Sequence, residues 1–181
     1  MSRPFILATA ACLFFSLFLV DLVSSQPTHP RQSPIDISRT MLGDTYIKAV
    51  YGKPYKRDRE IFGELVPFGA VWRTGANEAT EIIFTSDVHF GGERVEAGIY
   101  SLFTIPNENS WTIILNEQLG AWGAFRYDQS KDVLRIESPV HSLDESQEAF
   151  QITFETEEDG SKTIMSLTWD KVRVSVPITN P

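Results

Sequence analysis

The sequence predicts an all-β domain, an antiparallel β-sandwich or jelly-roll-like fold, on three observations. Apolar residues alternate with polar ones instead of recurring at helical spacing. Turn signals built on Gly, Pro, Asn and Asp arrive at short intervals, and no stretch carries the pattern of a long helix. Roughly nine or ten short strands are expected, and a closed barrel is the second architecture such a pattern allows.

Each element has its own local signal. Ile35 and Ile37 precede a turn at Gly43-Asp44, and Tyr46 to Tyr51 returns as the second strand of a hairpin. Asp58 to Leu65 holds the one helical signal, a short turn that starts at an acidic residue and stops at Gly63 or before Pro67. Glu81 to Phe84 reads as a strand; Val88 to Phe90 runs into the two-glycine turn Gly91-Gly92, and Val95 resumes beyond it. Gly98 to Ile105 alternates until Pro106 ends it, and Asn107-Glu108-Asn109 turns the chain. Trp111 to Leu115 then pairs back, with Trp111, Ile113 and Leu115 on one face and Thr112 and Ile114 on the other. Residues 116–130 are irregular. Val133 to Ile136 is a short strand, and Phe150, Ile152 and Phe154 line another that turns at Asp159-Gly160. Met165, Leu167 and Trp169 alternate, and beyond Asp170-Lys171 so do Val172, Val174, Val176 and Ile178.

The N-terminus has the parts of a secretory signal: Arg3 at the start, an apolar run from Phe5 to Val20, and the small residues Ser24-Ser25 before a cleavage point at Gln26. An exported protein, periplasmic or extracellular, is expected. The competing reading, a membrane anchor formed by an uncleaved N-terminal segment, is opposed by the break at Asp21 and the lack of a basic flank. Cys12 is the single cysteine; the apolar run continues past it, so it reads as part of the signal and not as a lipid attachment site. Without it there is neither a disulfide nor thiol chemistry. Residues 1–25 thus form the signal, residues 26–33 a flexible lead, and residues 34–179 one domain long enough to bury a core unaided. Sixteen basic against 24 acidic residues leave a net charge of −8, which opposes a nucleic-acid partner.

Polar chemistry concentrates between Ile61 and Thr80. Gly63, Gly69 and Gly75 recur at a spacing of six and, with Pro67, predict tight turns. Trp72, Arg73, Asn77 and Glu78 then present a guanidinium, an amide and a carboxylate beside a large aromatic face. These four, with Trp122, are the candidate ligand-binding residues. A guanidinium held by a carboxylate and an amide can receive a carboxylate or an array of sugar hydroxyls. The plainer account is a partly buried Arg73–Glu78 ion pair, with Asn77 bonded to nearby backbone groups. Trp111 and Trp122, with Trp72 and Tyr127, have the composition of a stacking platform. Alternation, however, places Trp169 and Trp111 in the core, and leaves Trp122 either as a contact residue or as a cap on the sandwich end.

Catalytic and metal signals are weaker. Glu78 with Asp128 or Glu117 are the carboxylates to consider for glycoside cleavage. His29, His89 and His141 lack metal-ligand spacing, and neither G-x-S-x-G nor a phosphate-cradling glycine loop is present, so no metal or cofactor is expected.

The block Ile61 to Thr80, continued by Ala97 to Pro106, Trp111 and Trp122-Gly123, closely resembles a bacterial family of secreted proteins, the domain-of-unknown-function family number twenty-nine-eleven. The resemblance runs from about Ser33 to Ile178 and implies a bacterial exported single-domain protein, with no reaction, ligand or catalytic set to carry over. Where the family pattern tends toward a glycine before a basic residue, this chain reads Lys56-Arg57-Asp58-Arg59, which opposes a flexible loop there. The expected function is a non-catalytic exported module that binds a small molecule, glycan or protein partner through the Trp72–Glu78 segment and Trp122. The alternative is a hydrolase with Glu78 as general acid or base and Arg73 as electrostatic stabiliser.

Overall fold

Between Trp169 and Val172 the apolar alternation slips by one residue, from odd-numbered to even-numbered positions. A strand can absorb such a slip only at a bulge, where one residue leaves the ladder and the chain bends. The computed structural model, which describes residues 31–181, shows this bend: Asp170 adopts a left-handed φ of 51°, and one strand, Lys162–Thr179, continues through it. The expected signal segment 1–25 with Cys12, and residues 26–30 of the expected lead with His29, lie outside the described residues.

In chain order the strands are β1 (Ile35–Leu42), β2 (Thr45–Gly52), β3 (Thr80–Phe84), β4 (Val88–Phe90), β5 (Glu93–Val95), β6 (Gly98–Pro106), β7 (Ser110–Asn116), β8 (Asp132–Thr156) and β9 (Lys162–Thr179). All pairings among them are antiparallel, in the spatial order β1-β2-β3-β6-β7-β8-β9-β4-β5. The fold is all-β and sandwich-like. Two expected pairs of short strands prove to be single long ones. Val133–Ile136 and Phe150–Phe154 belong to β8, and the two final alternating runs belong to β9. The β8–β9 register shifts between Ser142 and Gln147 and again between Gln147 and Gln151, so the ribbon turns a corner opposite Asp170. The first part of β8 pairs with β7, and the C-terminal end of β9, which lies along that same part of β8, pairs with β4 at Phe90 and Ile178. β1 approaches the end of β8 through side chains: Thr40 Oγ1 meets Thr156 Oγ1 at 2.7 Å, and the Ile152 N–H donates to the Tyr51 hydroxyl of β2 at 3.2 Å. Among the described residues no backbone ladder joins β1 to β5, so these nine strands form an open sheet and not a closed barrel.

The interior follows the alternation. Ile47, Ala49, Ile82, Phe84, Leu102, Ile113 and Leu115 from one side meet Phe150, Ile152, Met165, Leu167, Val174, Val176 and Ile178 from the other. On the opposite face of β6 and β7, Phe103 and Ile114 form a second cluster with Ala79 and Ala121 under the irregular segment 117–131. Buried Asn116 ties that segment down: its amide donates to the Asp128 carbonyl (2.9 Å) and to Asp132 Oδ1 (2.7 Å), and its oxygen accepts from the Gln118 N–H (2.8 Å).

The helical turn expected near 58–65 does not form. Arg57 and Asp58 take left-handed φ values, and the backbone bonds run from Val66 N to Ile61 O (2.8 Å) and from Gly63 N to Val66 O (3.0 Å). These bonds close a tight loop, which buries Ile61 and Val66 in a way a helical turn would not. The 3-10 turn among the described residues lies instead at Gln129–Lys131, where Asp128 caps the first turn by accepting from Ser130 N.

Segment 72–80 is clamped from three sides. Trp72 exchanges both backbone bonds with Thr104, the Ala76 N–H donates to the Gly52 carbonyl (3.0 Å), and the Ala79 N–H donates to the Ala121 carbonyl (2.8 Å). The approach at Gly52 is so close that a Cβ there would lie 2.0 Å from the Ala76 carbonyl oxygen. The corner at Asp170 is tied to the 53–59 segment, since its carboxylate accepts from Lys56 Nζ (2.5 Å) and Ser146 Oγ (2.7 Å). Burial pushes that carboxyl up. The Lys56 and Ser146 hydrogen bonds and the lysine charge outweigh burial and hold it below its ordinary value. Asp36, where burial is likewise outweighed by Lys53 and the Ile37 N–H, behaves the same way.

Two outcomes are expected. Gly52→Ala should destabilise the fold by about 2 kcal/mol or more, because backbone must move to admit the methyl group; chemical denaturation measures it. The depressed carboxyls Asp170 and Asp36 contribute stability that is fully present above the unfolded carboxylate pKa of about 4 and is lost as pH falls through their folded values. Melting temperatures across acid pH should therefore fall less steeply in Asp170→Asn than in the parent.

Candidate functional site

The corner of the β8–β9 ribbon, the 53–59 segment and the clamped 72–77 segment enclose a cavity of about 260 Å³. Its apolar wall is Trp72, Trp169, Val66 and Leu65. The two indoles stack at 5.9 Å with 18° between their planes, and Trp72 Nε1 donates to the Gly75 carbonyl at 3.0 Å, so the wall has its polar group satisfied and its orientation fixed. Trp111, Phe62 and Phe150 pack around the same rings. Trp72, Trp111 and Trp169 are all buried, so the aromatic cluster is core whose edge reaches the cavity.

The polar side of the cavity is basic. Arg57, Arg59 and Arg73 line it, with Gln32, Tyr55 and Asn77. Arg57 donates from Nη1 to Gln32 Oε1 (3.1 Å) and from Nη2 to the Gln32 carbonyl (2.7 Å), and its guanidinium lies 6.0 Å from the Tyr55 ring centre. Arg59 donates from Nε to the Lys56 carbonyl (2.9 Å) and from Nη2 to the Tyr55 carbonyl (2.6 Å). Arg73 differs from both. It is half-buried, its Nε is buried with no hydrogen-bond partner, and burial alone pushes its guanidinium below the ordinary value, with no carboxylate contributing. None of the three forms an ion pair with a described carboxylate, and among the described residues no Asp or Glu lines the cavity.

Of the residues expected from sequence, Trp72, Arg73 and Asn77 come together here; Asn77 Nδ2 donates to the Ser33 carbonyl at 3.3 Å. Glu78 and Trp122 do not. Backbone pairing of Asn77–Ala79 with Ala121–Gly123 places Glu78 opposite Trp122, and the two line recesses other than the one beside Arg73. Glu78 lines a separate cavity of about 210 Å³ with Glu81, Tyr51 and Val50. Trp122, 61% exposed, flanks a third recess with Leu119, Phe125 and Arg126 on the segment covering the second apolar cluster. Asp128 is occupied in capping its 3-10 turn, and neither it nor Glu117 lines the Glu78 cavity. The expected Arg73–Glu78 ion pair is not formed: the burial that lowers Arg73 is accompanied by no carboxylate charge. Among the described residues no group of three His, Cys, Asp or Glu converges as metal ligands do.

Sequence reasoning missed Gln32, Tyr55, Arg57 and Arg59 as site residues. The signal was present in Lys56-Arg57-Asp58-Arg59, a basic run in an acidic chain. Only the fold distinguishes Lys56, which pairs with Asp170, from the two arginines that face the cavity.

A search of curated proteins and a search of solved structures return no match. Residues 33–178 match the family described as "Protein of unknown function (DUF2911)". The matched span takes in every strand but the last residue of β9, together with the arginines and indoles of the cavity, so the chain belongs to this family.

Proposed function

We propose that this protein is an exported, non-catalytic β-sandwich module that binds a small molecule in the cavity beside Trp72, Arg73 and Asn77. One observation carries the reading: half-buried Arg73, which has no carboxylate partner and whose buried Nε is unpartnered, lines a cavity whose aromatic wall is held in place. An arginine whose role is structural is held by a carboxylate or by carbonyls, because desolvating a charge without compensation is costly. Here compensation would come from a ligand, acidic or rich in hydroxyls, set against the indole wall. Export is supported by the N-terminal apolar run and its small-residue cleavage site.

The hydrolase reading has one observation in its favour, that Glu78 and Glu81 share a cavity. It draws nothing from Arg73, which lines a different one.

A thermal-shift screen of glycans and metabolites on the purified chain tests the binding reading. Arg73→Ala should abolish any ligand-induced shift while costing no more than about 1 kcal/mol of intrinsic stability, since no protein partner is lost. A large fall in melting temperature with ligand response intact would instead make Arg73 a structural residue.

A further inference from the structure

We infer that the cavity is a receptor for a phosphomonoester or phosphate group, carried on a small molecule whose apolar part meets Leu65 and Trp72. The inference rests on the binding reading above and specifies the ligand's chemistry.

Three guanidinium groups line one small cavity in a chain of net charge −8 that has 24 acidic residues available to neutralise them. Arg73 is half-buried, Arg57 and Arg59 stand exposed at the rim, and like charges placed together at a desolvated arginine are ordinarily offset by an interleaved carboxylate. None lines the cavity. The nearest carboxylate that the hydrogen bonds identify, that of exposed Glu148, accepts the Arg57 backbone N–H at 2.9 Å and is not part of the lining.

The contacts that hold the arginines are neutral. Gln32 takes one hydrogen from each terminal nitrogen of Arg57, and two backbone carbonyls take Nε and one Nη2 hydrogen of Arg59. Each guanidinium has five N–H donors, so both keep unused donors in a fixed orientation, and no described hydrogen bond engages the terminal nitrogens of Arg73. Fixed, charged, under-used donors are what a tetrahedral oxyanion with two charges and several acceptor oxygens requires; a single carboxylate could satisfy one fork only. The cavity's size and the indole wall restrict the remainder of the ligand to a small organic group.

Isothermal titration calorimetry of the purified full chain at low ionic strength tests this, with inorganic phosphate and glycerol 3-phosphate as probes and acetate and glycerol as comparators. Both phosphates should bind, acetate should bind at least about tenfold more weakly, and glycerol should give no heat. Arg73→Gln and Arg57→Gln should each raise the phosphate Kd about tenfold or more, Arg73→Lys should restore part of the loss, and added NaCl should weaken binding. Arg94→Gln, which removes an exposed arginine paired with Asp87 on β5, should leave the Kd unchanged. Co-sedimentation with phosphatidylcholine vesicles, with and without phosphatidic acid, identifies the source. Arg73-dependent capture by phosphatidic acid assigns the phosphomonoester to a lipid headgroup, and its absence assigns it to a soluble molecule. Absence of phosphate binding in a folded protein, or binding indifferent to Arg73 and Arg57, overturns the inference. If a neutral ligand from the screen still binds through Arg73, the broader binding reading survives that result.

Discussion

The bend in the β8–β9 ribbon is the constraint on which the rest of the molecule depends. Two long strands run through both halves of the sandwich, and they can do so only because the ladder is interrupted between Ser142 and Gln151 and Asp170 turns left-handed opposite the break. The bulge reverses the phase of β9, so Trp169 and Val174 both face the interior although they stand at odd and even positions. The bend also leaves Trp169 beside backbone from the 53–59 segment, with its Nε1 donating to the Glu148 carbonyl, and opens the space that the cavity occupies. Lys56 closes the corner by reaching Asp170. The device that shapes the scaffold thus also shapes the site.

A second constraint is the close seating of the 72–80 segment on β2 and β6. Thr74 and Asn77 are held at φ values that non-glycine residues rarely adopt, and the loop survives because its backbone groups are bonded to Gly52, Thr104, Ala121 and one another. Thr80 Oγ1 donates to the Thr74 carbonyl, and Thr74 is fully buried. Arg73 sits between these anchor points. Its backbone carbonyl is bonded to Thr80 N while its side chain lines the cavity, an arrangement that places a charge without supplying a counter-ion.

Much of the fold was legible because strand alternation is local. The hairpin of β1 and β2, the Gly91-Gly92 turn, the facing of Trp111, Ile113 and Leu115, and even the phase slip after Trp169 can all be read from neighbouring residues. The short helical turn near 58–65 was misread because an acidic start and a glycine stop are equally compatible with a closed loop, and the burial of Ile61 and Val66 decides between them. The continuity of β8 was hidden because its bulged middle, residues 143–149, lacks alternation where it crosses the corner.

By itself the sequence determined the all-strand class, the strand pairs joined by short turns, and the burial of Trp111 and Trp169, since each follows from residue type and spacing along a few positions. Tertiary structure alone decided that Glu78 and Trp122 line cavities other than that of Arg73, and that Arg57 and Arg59, fourteen or more residues earlier in the chain, share its cavity. The reason is geometric. Left-handed bends at Thr74 and Asn77 redirect the chain between Arg73 and Glu78, so closeness in sequence does not keep their side chains together, whereas a corner in a distant ribbon gathers charges that no local pattern relates.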